Sequence, residues 1–257
     1  MIIDTHAHIS DIKFDTDRKD VIQRALDSGI VKIFEIACQT KYWDKALELI
    51  ELSNIFAAFG IHPNDTSKAS TKDYKRLELL IQNKKCVAVG EIGLDYHYKY
   101  SLQNINIQKE SFIKQLKIAC KYNKPVIIHC RDAYDIMLNF LKKYKCIPKG
   151  VIHCFSGTLE QAQAFTKMGF LLGIDGPLTY KNSSDLKQVV SKTSINELLV
   201  ETDCPYLTPQ KYRGQRNEPS YIIETLKEIA LIKGISFDEA ANITVLNTLK
   251  LFNIKLL

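Results

Sequence analysis

The sequence lacks long apolar runs, paired cysteine motifs and low-complexity segments. No apolar run in the 257 residues approaches the roughly 18 positions that a membrane-spanning helix needs, so we expect no membrane contact. A predicted strand already begins at residue 2, and its apolar segment ends in Asp4 and His6 rather than in a small-residue cleavage site, so we expect no signal peptide. The seven cysteines are an odd number without Cys-x-x-Cys spacing, which predicts reduced thiols and a cytoplasmic location.

Arginine is scarce, and its positions are uneven. The formal net charge of +6 is compatible with an anionic partner but does not identify one. A guanidinium group matches phosphate oxygens in a bidentate geometry, so arginines beside strand ends are candidate phosphate ligands. Three arginines follow predicted strands in this way: Arg131, Arg213 and Arg216.

Apolar runs and amphipathic stretches alternate along the whole chain. The runs predict strands at 1–8, 31–37, 55–62, 86–93, 125–130, 150–155, 170–175 and 197–202. The amphipathic stretches predict helices at 16–28, 40–52, 71–83, 103–122, 132–144, 158–168, 183–192, 216–232 and 237–252. Eight alternations at this length predict an α/β fold, a TIM (β/α)8 barrel, as a single domain over residues 1–257.

Residues with metal-binding side chains recur at the predicted strand ends. Side chains alternate along a strand, so His6 and His8 point to the same side. A barrel of this kind places its chemistry at the carboxyl ends of the strands. In chain order these ends carry His6, His8, His62, Glu91, His129, His153 and Asp203, and the second and seventh strands contribute no obvious ligand.

The set suits two divalent cations. The first and last strands are neighbours in a barrel, so His6, His8 and Asp203 can share one ion. The fifth and sixth strands bring His129 and His153 to a second ion, and Glu91 between them can bridge the two. Two such ions favour displacement at phosphorus. The donor types leave Mg²⁺, Mn²⁺ and Zn²⁺ open.

Residues flanking this set have candidate supporting roles. Arg131 follows His129 on the same side and is predicted to bind phosphate, with an ion pair to Asp132 or to a neighbouring helix as the alternative. Histidine ligands usually donate their second N–H to an acceptor, so Asp4 and Glu201 are expected behind the ligands. His62 is a candidate for orienting the phosphate or the leaving group, or a structural residue. Asp95 is expected to position His62 or a water.

Seven motifs together resemble the TatD-type metal-dependent deoxyribonucleases of the amidohydrolase superfamily. They are residues 3–8 (IDTHAH), 60–63 (GIHP), 90–96 (GEIGLDY), 128–133 (IHCRDA), 153–157 (HCFSG), 201–209 (ETDCPYLTP) and 212–219 (YRG followed by RNEP). The resemblance implies a TIM barrel whose metal ligands are His6, His8, Glu91, His129, His153 and Asp203, with Glu91 bridging.

The same resemblance implies a reaction. It is phosphodiester hydrolysis in DNA, with 3′→5′ exonuclease action on single strands, by a hydroxide that bridges two divalent cations. We expect Glu91, Asp203 and His62 to be the catalytic residues, with Asp203 handling the proton. The expected partner is DNA, single-stranded or at 3′ ends.

Two other functions stay open. A relative in the same superfamily could hydrolyse a small ester, amide or phosphoester, because the same metal pair activates water against each of them. Glu91 stands where a phosphotriesterase-like site has a carbamylated lysine, which counts against a phosphotriesterase-like enzyme. A metal-bound nucleic-acid-binding or scaffold protein without catalysis is the other alternative, and the intact ligand set argues against it.

Overall fold

The computed structural model describes residues 1–97 and 102–255, and within them eight parallel strands form one sheet in sequential order. The strands are β1 (Ile2–Ala7), β2 (Ile30–Ala37), β3 (Ile55–Phe59), β4 (Cys86–Asp95), β5 (Val126–Arg131), β6 (Gly150–Ile152), β7 (Leu171–Ile174) and β8 (Leu198–Val200). Just beyond β8 the sheet closes on β1, because Asp203 N–H donates to His6 O (2.9 Å) and His8 N–H donates to Cys204 O (2.8 Å). The predicted barrel is confirmed.

Helices follow the strands and surround the barrel. They are α1 (Arg18–Asp27), α2 (Trp43–Leu49), α3 (Thr71–Leu80), α4 (Leu102–Lys121), α5 (Tyr134–Lys143), α6 (Leu159–Lys167), α7 (Ser184–Lys192), α8 (Ile222–Lys233) and α9 (Phe237–Phe252). The predicted helix at 216–232 begins only at Ile222, after a 3-10 turn that Pro219 opens. Among the described residues, no helix combines the length and apolarity that crossing a bilayer requires.

Within the described part of the chain, two apolar clusters hold the barrel together. The larger one packs the helices against the outside of the sheet. The smaller one includes Ile127, Val151 and Leu199, which precede the ligand-type residues of their strands by even steps and therefore face the barrel interior. Phe252 of α9 joins this cluster and packs edge-to-face on Phe34 at 4.9 Å between ring centroids. α9 therefore covers the interior cluster.

A close approach of two strands aligns the residues at the barrel mouth. Gly93 of β4 lies opposite His129 of β5, and a Cβ at Gly93 would lie 1.9 Å from the His129 carbonyl oxygen. Its φ of +149° is also in the region that favours glycine. Glycine at this position thus lets β4 bring Glu91 close to His129.

The cysteines differ from the expectation of fully reduced thiols. Cys120 at the end of α4 and Cys146 in the segment before β6 form a disulfide across 26 positions of sequence. The spacing of cysteines gave no signal because the two residues meet only through the packing of α4 beside the α5–β6 connection. The cytoplasmic location stays a prediction without the support of the cysteine count.

Candidate metal centre

A cavity of about 660 Å³ opens at the carboxyl ends of the strands. Eight of the predicted site residues line it: His8, His62, Glu91, Asp95, His129, Arg131, His153 and Asp203. His6 is fully buried and reaches the same group of side chains. The structure therefore brings together, around one cavity, residues from both ends and the middle of the chain.

Asp203 lies beside the two histidines at the end of β1, His6 and His8. Its Oδ1 lies 3.3 Å from His8 Nε2 and 3.6 Å from His6 Nε2. The other ring nitrogen of His8, Nδ1, lies 2.8 Å from the carbonyl oxygen of Ile36, which fixes the ring with Nε2 toward Asp203. Burial raises the pKa of Asp203, but the three nearby histidines lower it below its ordinary value, so the carboxylate is ionised.

Glu91 lies among histidines that come from several strands. Its Oε1 is 2.6 Å from His129 Nδ1 and 3.7 Å from His62 Nε2, and its Oε2 is 3.7 Å from His6 Nε2. Burial raises the pKa of Glu91, yet His62, His153 and His129 together hold it well below the usual range. The five histidines form two groups: His6 and His8 beside Asp203, and His62, His129 and His153 beside Glu91 Oε1. Glu91 is an ionised carboxylate that lies close to both groups, as a bridging position requires.

The two histidines that were predicted to share a cation, His129 and His153, both lie beside Glu91. The donor atoms of His62, Glu91 and His129 form one close group. His153 also stacks on His6, with ring centroids 3.5 Å apart. Its Nε2 lies 3.6 Å from Glu91 Oε1, so His129 and His153 meet at the same carboxylate oxygen.

The charges of the cluster suit a cation. Among the described residues, neither ring nitrogen of the buried His6 has a hydrogen-bond partner, although Nε2 faces Glu91 and Asp203. Burial lowers the pKa of His153, but the negative charges of Glu201 and Glu91 outweigh burial and raise the pKa to about 10. The same carboxylates that favour a proton on His153 favour a metal cation in its place. Unsatisfied imidazole nitrogen beside ionised carboxylates is the donor set that binds divalent metal ions.

His62 is a neutral side chain that presents a donor to the cavity. Burial lowers its pKa to about 4. Its Nδ1 accepts a hydrogen bond from the backbone N–H of Asn64 at 3.2 Å. A neutral imidazole carries one proton, so the proton lies on Nε2, the nitrogen that faces Glu91.

The two acidic residues expected behind the ligands act on different atoms. Glu201 Oε1 lies 2.8 Å from His153 Nδ1, as expected, and accepts the backbone N–H of Cys154 at 2.6 Å. A Cβ at Gly173 would lie 2.4 Å from Glu201 Oε2, so glycine leaves room for this carboxylate. Asp4 accepts the backbone N–H of His6 (3.2 Å) rather than an imidazole, and it accepts the Thr202 hydroxyl (2.6 Å).

Removing the Glu201 carboxylate tests its support of His153. Glu201→Ala leaves the His153 ring without its acceptor, so we expect divalent-cation affinity to fall by about 10–100-fold. Titration of the metal-free protein measures this loss. Glu197→Ala is the matched control, because Glu197 precedes β8 at the other end of the strand and caps the Ser194 turn. Equal affinities in the two variants would contradict the role.

Asp95 positions a different histidine from the one expected. Its Oδ2 lies 3.2 Å from His129 Nε2 and accepts the side-chain amide of Asn64 at 3.1 Å. His129 is therefore held between Asp95 and Glu91, one at each ring nitrogen. The link from Asp95 to His62 is indirect, through Asn64.

The three candidate phosphate arginines have different surroundings. Arg131 is exposed and lines the cavity. Arg213 is exposed, and its guanidinium lies 4.3 Å from the centroid of the Tyr180 ring. Arg216 donates to both carboxylate oxygens of Asp17, at 2.8 and 2.6 Å. This ion pair joins Arg216 to the residue just before α1 and engages the guanidinium that was predicted to bind phosphate.

The second and seventh strands, which were predicted to carry no obvious ligand, are each followed by a polar or ionisable residue that lines the cavity. Cys38 and Asp175 are the first residues after β2 and β7, and both line the cavity. Burial raises the pKa of Asp175 to about 8, so its carboxyl group is mostly protonated at neutral pH. Their positions directly after a strand are the signal by which the sequence could have indicated both residues.

Comparisons with known proteins give a consistent result. The family described as TatD related DNase matches residues 3–253. "Uncharacterized metal-dependent hydrolase YabD" of Bacillus subtilis (strain 168) is 41% identical over 256 residues, covering 99% of this chain and 100% of that protein. "3'-5' ssDNA/RNA exonuclease TatD" of Shigella flexneri serotype 5b is 31% identical over 260 residues, covering 98% and 99%. The crystal structure of YjjV, a TatD homolog from Escherichia coli K12, has a TM-score of 0.92 at 33% identity, covering 99% and 98%.

A closed barrel with histidines and carboxylates converging at its mouth has the architecture of a metal-dependent barrel hydrolase. Within that class, the chain belongs to the TatD related DNase family, because the family match spans nearly all of it. The resemblance seen in the motifs is therefore confirmed, and the chain is a TatD-family metal-dependent hydrolase.

Proposed function

We propose that this protein is a deoxyribonuclease that hydrolyses phosphodiester bonds from the 3′ end of single-stranded DNA. The observation that carries the proposal is the convergence of five histidines on Glu91 and Asp203 at the mouth of the barrel. The relative from Shigella that is named a single-stranded DNA and RNA exonuclease supports the choice of substrate.

Two divalent cations are the proposed cofactors. The residues that would hold them are His6, His8, Glu91, His129, His153 and Asp203. When bound, such cations acidify water and stabilise negative charge on phosphoryl oxygens. Because Glu91 reaches both groups of histidines, it is the residue that couples the two positions.

Side chains at the cavity have separate proposed roles in the reaction. The ionised carboxylate of Asp203 accepts the proton of the attacking water. His62 donates a hydrogen bond from Nε2 to a phosphate oxygen or to the leaving oxygen, because its Nδ1 is already an acceptor. Arg131, exposed at the cavity rim, binds a phosphate of the strand.

A substrate panel tests the proposal. Single-stranded DNA, duplex DNA and RNA carrying a 5′ label are compared with neutral ester and amide substrates, each with Mg²⁺, Mn²⁺ or Zn²⁺. We expect stepwise shortening of single-stranded DNA from the 3′ end. Glu91→Gln protein purified in parallel controls for contaminating nucleases. Faster turnover of the neutral substrates, with intact oligonucleotides, would instead favour a small-molecule hydrolase.

Arg131 is expected to bind a substrate phosphate, and salt dependence tests this. Arg131→Ala should raise KM for an oligonucleotide and lower the slope of log KM against log salt by about one, since one phosphate contact is lost. Arg216→Ala is the matched control, because that guanidinium is bound to Asp17. An unchanged salt slope in Arg131→Ala, or the same change in both variants, would contradict the assignment.

A further inference from the structure

Cys38 lies among the donor atoms of the metal centre although no motif assigns it a role. It is the first residue after β2, lines the cavity and is 7% exposed. Its Sγ, a ring nitrogen of His8 and a carboxylate oxygen of Glu91 all lie within 4.8 Å of one another. Donor atoms at such separations can bind one cation, because zinc–sulfur and zinc–nitrogen bonds are about 2.3 and 2.0 Å long.

The end of β2 places the thiol of Cys38 close to the His8 ring. The carbonyl oxygen of Ile36 lies 2.8 Å from His8 Nδ1, and Cys38 follows Ile36 by two residues. One short segment therefore orients the imidazole and delivers the sulfur to the same place. His6 supplies an independent indication of a ligand beside Glu91, because both of its buried ring nitrogens lack a hydrogen-bond partner among the described residues and Nε2 faces Glu91 and Asp203.

The other free cysteines do not share this arrangement. Buried cysteines usually pack as small apolar groups. Cys86, Cys130 and Cys204 are buried in this way, and within residues 1–97 and 102–255 none of them belongs to a group of possible metal-binding atoms. Cys154 lines the same cavity, but its sulfur is likewise outside these groups. Cys38 is thus distinguished by its two donor neighbours.

We propose that Cys38 is an additional, thiolate ligand at the cation position of His8 and Glu91, which makes this centre prefer thiophilic cations over Mg²⁺. Thiolate sulfur favours zinc and similar soft ions, whereas Mg²⁺ requires oxygen donors. On binding, the S–H bond gives its proton to water and a sulfur–metal bond forms, without oxidation or reduction. The inference rests on the proposed function only in that His8 and Glu91 hold a cation.

Cobalt spectroscopy of the 257-residue protein tests the inference without using activity. Metal-free protein in a non-thiol reductant is titrated with Co²⁺, and sulfur-to-cobalt charge transfer is recorded in the near ultraviolet. We expect the band in the wild type and in Cys86→Ser, and its loss in Cys38→Ser. Elemental analysis and circular dichroism of the same samples verify bound cobalt and an intact fold. Cys38→Ala repeats the test without a side-chain oxygen.

Cation affinities provide the second readout. Cys38→Ser should weaken Zn²⁺ binding by at least about tenfold, the loss typical of disturbing a metal site, and leave Mg²⁺ affinity unchanged. Cobalt that binds to the wild type without a charge-transfer band would overturn the Cys38 ligand alone. A band that survives in Cys38→Ser and disappears in Cys154→Ser would also overturn it. Failure of every protein to bind any divalent cation would overturn the proposed metal centre as well.

Discussion

Glu91→Gln is expected to lose bound cations and to hydrolyse oligonucleotides at least about 10²–10³-fold more slowly, the loss seen when a group that stabilises transition-state charge is removed. The carboxylate lies 2.6–3.7 Å from four imidazoles, so replacing it with an amide removes the negative charge that both groups of histidines share. Metal content after reconstitution and single-turnover rates measure the two effects.

Glu35→Gln is the matched control for this substitution. Glu35 is a fully buried glutamate on β2, and its carboxylate accepts the hydroxyl and the backbone N–H of Ser10. The amide oxygen can still accept the backbone N–H of Ser10 and the amide NH2 can donate to its hydroxyl oxygen, so we expect full metal content. If Glu91→Gln kept two cations per chain and normal rates, the bridging assignment would be wrong.

Asp203→Asn is expected to lower the hydrolytic rate by about 10²–10⁴-fold while most of the bound metal is retained. An asparagine oxygen can still coordinate a cation beside His8 and His6, but it cannot accept a proton near neutral pH. Measuring kcat and metal stoichiometry on the same preparation separates proton transfer from metal binding. Near-normal turnover would show that the base is another residue.

Asp175→Asn controls for a changed charge in the same cavity. Asp175 lines the cavity, but burial raises the pKa of its carboxyl group to about 8, so near neutral pH it is mostly uncharged before the substitution. We therefore expect this variant to keep most of its turnover. A loss as large as that of Asp203→Asn would mean that the cavity tolerates no carboxyl replacement, and the assignment of Asp203 as base would lose its support.

The strand and helix pattern was predictable because it is a local property. Hydrophobic residues recur with the period of each element, so the alternation of apolar runs located all eight strands in their order. The predicted ends of the strands were less accurate than their order. The runs at 150–155 and 197–202 continue past Ile152 and Val200, where the described strands end. A strand ends where its neighbour no longer pairs with it, and the neighbour is distant in sequence.

The convergence of the site was predictable for a similar reason. A parallel barrel brings the carboxyl ends of its strands to one face, so His6, Glu91, His129, His153 and Asp203 had to meet once the strands were located. Residue type and position relative to a strand end were sufficient. The same reasoning included Arg131, which lines the cavity.

The partner of each individual side chain was decided by the tertiary structure. Asp4 binds backbone N–H groups, Arg216 pairs with Asp17, and Cys120 forms a disulfide with Cys146. Each of these contacts depends on the path of a loop or on the packing of two distant elements, which no local period records. The sequence by itself determined that the histidines and carboxylates at the strand ends reach the mouth of the barrel. Only the folded chain decided which atoms they face there, because hydrogen bonds and ion pairs depend on distances of a few ångströms between segments far apart in sequence.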